Sequence, residues 1–147
     1  MWRAGRRRTI RCSSSHGVAM SCRVTIPEHA ITRLRPWYYE PSLRRAKIVR
    51  GSLFGLIFGA SGQKAVTINQ TVHLTRRADS PDTPAGIALI GHELFHVEQQ
   101  RQSGWWRFFF RYLRDWRPAH RRRGWEHPLE KPAYERGREI RESLGIQ

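Results

Sequence analysis

Apolar and polar positions alternate most clearly from Ala65 to Thr75, AVTINQTVHLT. Val66, Ile68, Val72 and Leu74 share one parity, and Thr67, Asn69, Thr71 and His73 share the other, the period of a half-buried strand. Gln70 interrupts the apolar row. Either the strand is continuous with one polar position, or Asn69-Gln70 turns a tight hairpin. A breaker cluster, DSPDTP, follows; Thr83 can cap a helix there, with Pro84 at its first position. That helix is predicted from Pro84 to about Gln102, ending before Gly104. Ile87, Leu89, Ile90, Leu94, Phe95 and Val97 make it apolar around most of its circumference, which places it in the centre of a domain. Further helices are predicted for Pro27 to Leu34, for Trp105 to Trp116, and from Pro128 or Pro132 to Leu144. Lys47 to Ser52 reads as extended. Gly51, Gly55 and Gly59 follow at four-residue spacing in an apolar run that reads as glycine-broken core packing.

The chain has 147 residues, enough for one domain with a modest core. The longest uncharged run, Gly51 to Gln63, is shorter than the roughly 20 residues a membrane-crossing helix needs. Composition also sets the first 25 residues apart. They hold six Arg, four Ser and no acidic residue, so 1–25 reads as a disordered basic tail and 26–147 as a single domain. The tail lacks the apolar core of a secretory signal, and a cytoplasmic protein is expected. Cys12 and Cys22, both in the tail, read as incidental thiols rather than a functional pair.

Chemistry concentrates in the apolar helix, where the sequence runs His92-Glu93-Leu94-Phe95-His96. Four helical residues advance about 6 Å and rotate a side chain by about 40°, so His92 and His96 project from one face a turn apart. Two imidazoles so placed can bind one metal ion. Glu93, rotated by about 100°, lies beside the ion, where it can take a proton from water. From the chain's own His and Glu frequencies, about 0.02 such matches are expected by chance. Two imidazoles and a carboxylate on an apolar helix are also costly unless something pairs with them.

The stretch Gly91-His92-Glu93-Leu94-Phe95-His96-Val97-Glu98-Gln99 resembles the active-site helix of zincin metallopeptidases. It is most similar to small bacterial zinc-peptidase-like domains with an H-E-L-x-H-V-x-Q helix followed by a P-L-E-x-x-A-Y-E segment. Here that segment is Pro128-Leu129-Glu130-Lys131-Pro132-Ala133-Tyr134-Glu135. The resemblance implies the Glu-liganded (gluzincin) branch: an α+β fold with a small antiparallel sheet packed against a central metal-binding helix, plus two further helices. It also implies one zinc ion, a peptide or protein substrate, and Glu93 as general base. A metzincin-type histidine would fall at position 102, which is Gln102. Among the downstream candidates His120, Glu126, His127, Glu130 and Glu135, the resemblance points to Glu130 as third ligand. Pro132 replaces a helix former, so Glu130 can fall just before the last helix rather than on it. Tyr134, His127 and His120 are candidate transition-state stabilisers, and Glu98 and Gln99 candidate partners of the histidines' second nitrogens.

Trp105 to Trp116, WWRFFFRYLRDW, adds a second theme. Trp105, Phe108, Phe109, Tyr112 and Trp116 form one helical stripe, with Arg107, Arg111 and Arg114 opposite. Such a helix packs on a core or contacts a membrane surface, and core packing is the commoner use. The formal net charge of +15 raises nucleic acid as a partner. Arginine is spread along the chain and no nucleic-acid-binding motif occurs, so that partner is disfavoured. A non-catalytic zincin-like binding module is the remaining alternative to an enzyme.

Overall fold

The computed structural model describes residues 10–12, 21–121 and 123–146. Among these, five strands and six α-helices follow the order β1 (Ile10–Cys12), β2 (Cys22–Val24), α1 (Glu28–Leu34), α2 (Glu40–Arg45), β3 (Lys47–Arg50), α3 (Leu53–Ala60), β4 (Ala65–Ile68), β5 (Thr71–Leu74), α4 (Pro84–Ser103), α5 (Trp105–Asp115) and α6 (Lys131–Ser143). Two short 3-10 segments, Pro118–Arg121 and Gly124–Glu126, lead from α5 towards α6. The class is α+β, as the sequence predicts. No helix of the described residues is long and apolar enough to cross a membrane.

The sheet has the order β1-β2-β3-β5-β4. It is mixed rather than antiparallel, because β3 runs parallel to β5. The cause is a crossover: α3 carries the chain over the sheet, and β4 returns along the edge before β5 enters beside β3. Glycine makes that crossover fit. A Cβ on Gly55 would stand 2.9 Å from the Leu74 carbonyl oxygen, so α3 lies almost on the backbone of β5. Its larger side chains Leu53, Phe54, Leu56 and Ile57 consequently face outward.

Asn69 and Gln70 both adopt positive φ, 46° and 61°, and close β4 onto β5 as a two-residue hairpin. This corrects the continuous-strand alternative and its face assignment. Across a two-residue turn Thr67 stands opposite Val72 and Ala65 opposite Leu74, so these four share the buried face. Val66 and Ile68 change sides and join His73 and Thr71.

Residues 10–12 and 22–24 form strands within the stretch that composition marks as a disordered tail. Pairing of β2 on β3 orders Cys22–Val24, and Val24 is 2% exposed in the core. Residues 1–9 and 13–20 of that tail lie outside the described residues. Cys22 is disulfide-bonded, which corrects its reading as an incidental thiol.

The core lies between the sheet and α4. Ile48, Val72 and Leu74 from the sheet meet Ile87, Ile90 and Leu94 from α4, with Leu34 of α1 and Ile140 of α6 closing the sides. The Thr83 hydroxyl accepts from the Gly86 N–H at 3.1 Å and caps α4, and Pro84 fills its first turn. Helices α5 and α6 both pack against α4.

Candidate metal centre

His92 and His96 project from α4 one turn apart, with ring centroids 5.0 Å from each other. Both rings turn towards Glu130. Its Oε2 lies 3.1 Å from His96 Nε2 and 3.6 Å from His92 Nε2. One ligand atom from each of His92, His96 and Glu130 lies within 4.8 Å of the others. Around a tetrahedral zinc, with bonds of about 2.0–2.1 Å, ligand atoms stand about 3.4 Å apart, so the two measured separations bracket that spacing. Two imidazoles and a carboxylate are a donor set suited to a divalent cation, and the fold presents all three to one point.

Glu130 immediately precedes α6 in helical backbone, at φ −82° and ψ −38°. Its position is nonetheless fixed. Its N–H donates to the His127 carbonyl and its own carbonyl accepts from the Tyr134 N–H, both at 2.9 Å. The preceding residue is tied to α4, because Gln99 Nε2 donates to the Leu129 carbonyl at 3.0 Å. The same Gln99 uses its Oε1 on His96 Nδ1 at 2.8 Å. With the Gln99 amide oriented this way, His96 holds a proton on Nδ1 and turns Nε2 to the cluster.

The electrostatics are those of a buried carboxylate between two bases. Burial pushes the Glu130 carboxyl up, but hydrogen bonds from His92 and His96 outweigh it and hold it far below the ordinary carboxylate range. Burial alone would lower the His96 imidazole. Glu130 and, more weakly, Glu93 and Gln99 lift it instead to about 9.

Glu93 is 5% exposed and borders this cluster from α4. Its Oε2 accepts from the Thr67 hydroxyl at 2.7 Å, a bond from strand β4 that the sequence pattern does not reveal. Two turns further on, Gln100 is fully buried; its amide donates to the Thr67 carbonyl at 3.0 Å and accepts from the Gln70 N–H at 2.8 Å. The hairpin is thereby locked in register beside the candidate metal-binding face.

The other candidates separate by position. Tyr134 stands at the mouth, its ring edge-on to His92 at 4.7 Å. Burial and then the charge of Glu130 raise its phenol. His127 is fully buried, and both of its nitrogens serve the backbone. The Leu129 N–H donates to Nδ1 at 3.1 Å, which leaves the proton on Nε2 to be donated to the Tyr112 carbonyl at 3.0 Å. His127 therefore holds the Glu130 loop against α5 and has no nitrogen left for a substrate. His120 Nδ1 accepts from the Arg117 N–H at 2.9 Å, and Glu126 pairs with Arg123 at 3.0 Å. Glu135 is exposed on α6 and outside the cluster, and Glu98 interacts with Arg136 and Arg101. Besides Thr67, one further residue was missed. Tyr112 of α5 lies close enough to Glu130 that burial first, and then that carboxylate, raise its phenol strongly. In the sequence it is one of seven aromatics between Trp105 and Trp116, with nothing to mark it out.

Fold and site together define the class: an α+β domain whose central helix and the loop before α6 bring two histidines and a glutamate to one candidate metal position. The chain belongs to the eCIS core domain family, whose model matches residues 25–104, just over half of its length. The matched stretch contains His92, Glu93 and His96 but ends before α5, α6 and Glu130. No curated protein and no solved structure matches the chain.

Proposed function

We propose that this domain is a zinc-dependent metallopeptidase of the gluzincin type, hydrolysing peptide bonds in a peptide or protein substrate. The observation that carries this reading is the convergence of His92, His96 and Glu130, with the Glu93 carboxylate beside them. Zinc held by those three residues supplies a Lewis acid that brings the pKa of water to about 7 and polarises a carbonyl.

The chain's own residues supply the proton handling. Glu93 accepts a proton from the attacking water and passes it to the departing amine as the C–N bond breaks, so one water is consumed per bond cleaved. The Thr67 hydroxyl holds Glu93 Oε2 and leaves the other carboxylate oxygen to carry the proton. Tyr134, at the mouth beside His92, is the donor placed to stabilise an oxyanion. Gln99 and Tyr112 position His96 and Glu130 respectively.

Metal analysis of wild type and Glu93→Gln, with a peptidase assay on both, tests this. Glu93→Gln is expected to keep its zinc and to lose hydrolysis by roughly 10²–10⁴-fold. Wild type that binds zinc stoichiometrically but cleaves no peptide would instead identify a binding module built on the same site.

A further inference from the structure

Helix α5 has two apolar sides, and the core uses only one of them. Inward, Phe108 is buried with its ring centroid 6.0 Å from that of His96, and Tyr112 stacks on His127 at 4.2 Å. Outward, Trp106, Phe110 and Leu113 recur at i, i+4 and i+7 and are 66%, 63% and 54% exposed. Trp106 and Phe110 stack on each other at 6.3 Å, and Phe109 packs against both. Large aromatics thus form a continuous ridge in solvent, where single scattered side chains would need no explanation.

The border of that ridge selects its occupant. Arg107, Arg111 and Arg114 have the same spacing, rotated by about 100°, and all three are exposed. They outnumber the helix's one acidic residue, Asp115, which Arg111 and Arg114 approach at 3.7 and 2.7 Å. An apolar sector edged along one side by cations complements a surface that is apolar beneath and anionic above. The exposed apolar side of α3 has no charged residue within Leu53–Ala60 and offers no such match.

We propose that α5 docks this domain on an anionic lipid surface, with Trp106, Phe110 and Leu113 entering the interface and Arg107, Arg111 and Arg114 meeting headgroup phosphates. Because the inward side of the same helix borders His96 and Glu130, docking sets the candidate metal centre close above the lipid.

Co-sedimentation of the full chain with vesicles tests the proposal. Pure phosphatidylcholine is compared with phosphatidylcholine containing roughly a third phosphatidylglycerol. The chain's overall positive charge will adsorb it at low salt, so the discriminating condition is about 0.5 M salt, where only insertion survives. Wild type is expected to stay on the anionic vesicles there. A Trp106→Ser/Phe110→Ser variant, whose charge is unchanged, is expected to lose at least about ten-fold in bound fraction. Arg107→Glu/Arg114→Glu is expected to reduce anionic-vesicle binding similarly while circular dichroism stays native. Equal binding by the aromatic variant, or equal binding of wild type to both vesicle types, would overturn the proposal. So would a wild-type dimer that ignores vesicles and is abolished by Trp106→Ser/Phe110→Ser, since a second copy would then cover the ridge.

Discussion

Glu130 reaches His96 and His92 across 34 and 38 positions of sequence, and its aim depends on neighbours that hold backbone rather than side chain. Gln99 is the clearest of these, since one amide grips both the His96 ring and the Leu129 carbonyl. Gln99→Ala removes both contacts and is expected to weaken zinc binding roughly 10–100-fold, measured by chelator competition, with Glu130→Gln losing more. His92, His96 and Glu93 were legible because helical geometry alone relates them. Thr67 and Tyr112 were not, because their relation to Glu93 and Glu130 exists only once β4 and α5 have packed. A second residue-scale expectation concerns His73, whose Nδ1 bonds Ser52 at 2.8 Å away from the metal cluster. Burial holds its imidazole below the ordinary value. The unfolded chain therefore takes up the proton first, and the His73 contribution is complete above about pH 6.5 and lost as pH falls towards the folded value. Urea midpoints should drop between pH 7 and pH 5, and less steeply in His73→Gln.

Among the elements, the long patterned helices and the short α1 were readable, whereas α2 and α3 were not. The expected Pro84-to-Gln102 helix is Pro84–Ser103, set by the Thr83 cap, Pro84 and Gly104. By contrast, α3 contains two glycines in eight residues, so local propensity argues against it; its close seat on β5 favours it. Strand β2 was hidden for a similar reason, since its ordering comes from β3 and not from its own composition. The β4-β5 hairpin turns on Asn69-Gln70, and Asn tolerates left-handed backbone better than Gln does. Gln70→Gly relieves that strain and keeps the backbone N–H that Gln100 accepts. It should stabilise the fold by roughly 0.5–1 kcal/mol, read as a higher urea midpoint with unchanged slope.

For the molecule as a whole, the proposed zinc site would make folding stability depend on metal content. Zinc at about 100 times its dissociation constant adds roughly 2.7 kcal/mol, which at this chain length raises Tm by roughly 5–10 °C. Thermal scans with and without zinc should show that rise, and Glu93→Gln should show it too, since the proposed ligand set is His92, His96 and Glu130 without Glu93. The segment matched by the family model supplies two of the three donors, and the third comes from beyond residue 104. A bound ion would therefore act as a stitch between the family's shared part and the stretch that follows it. Removed by a chelator, that stitch would leave α6 held to α4 by the seat of Ile140 against Gly91 and by the bond from Gln99 to Leu129.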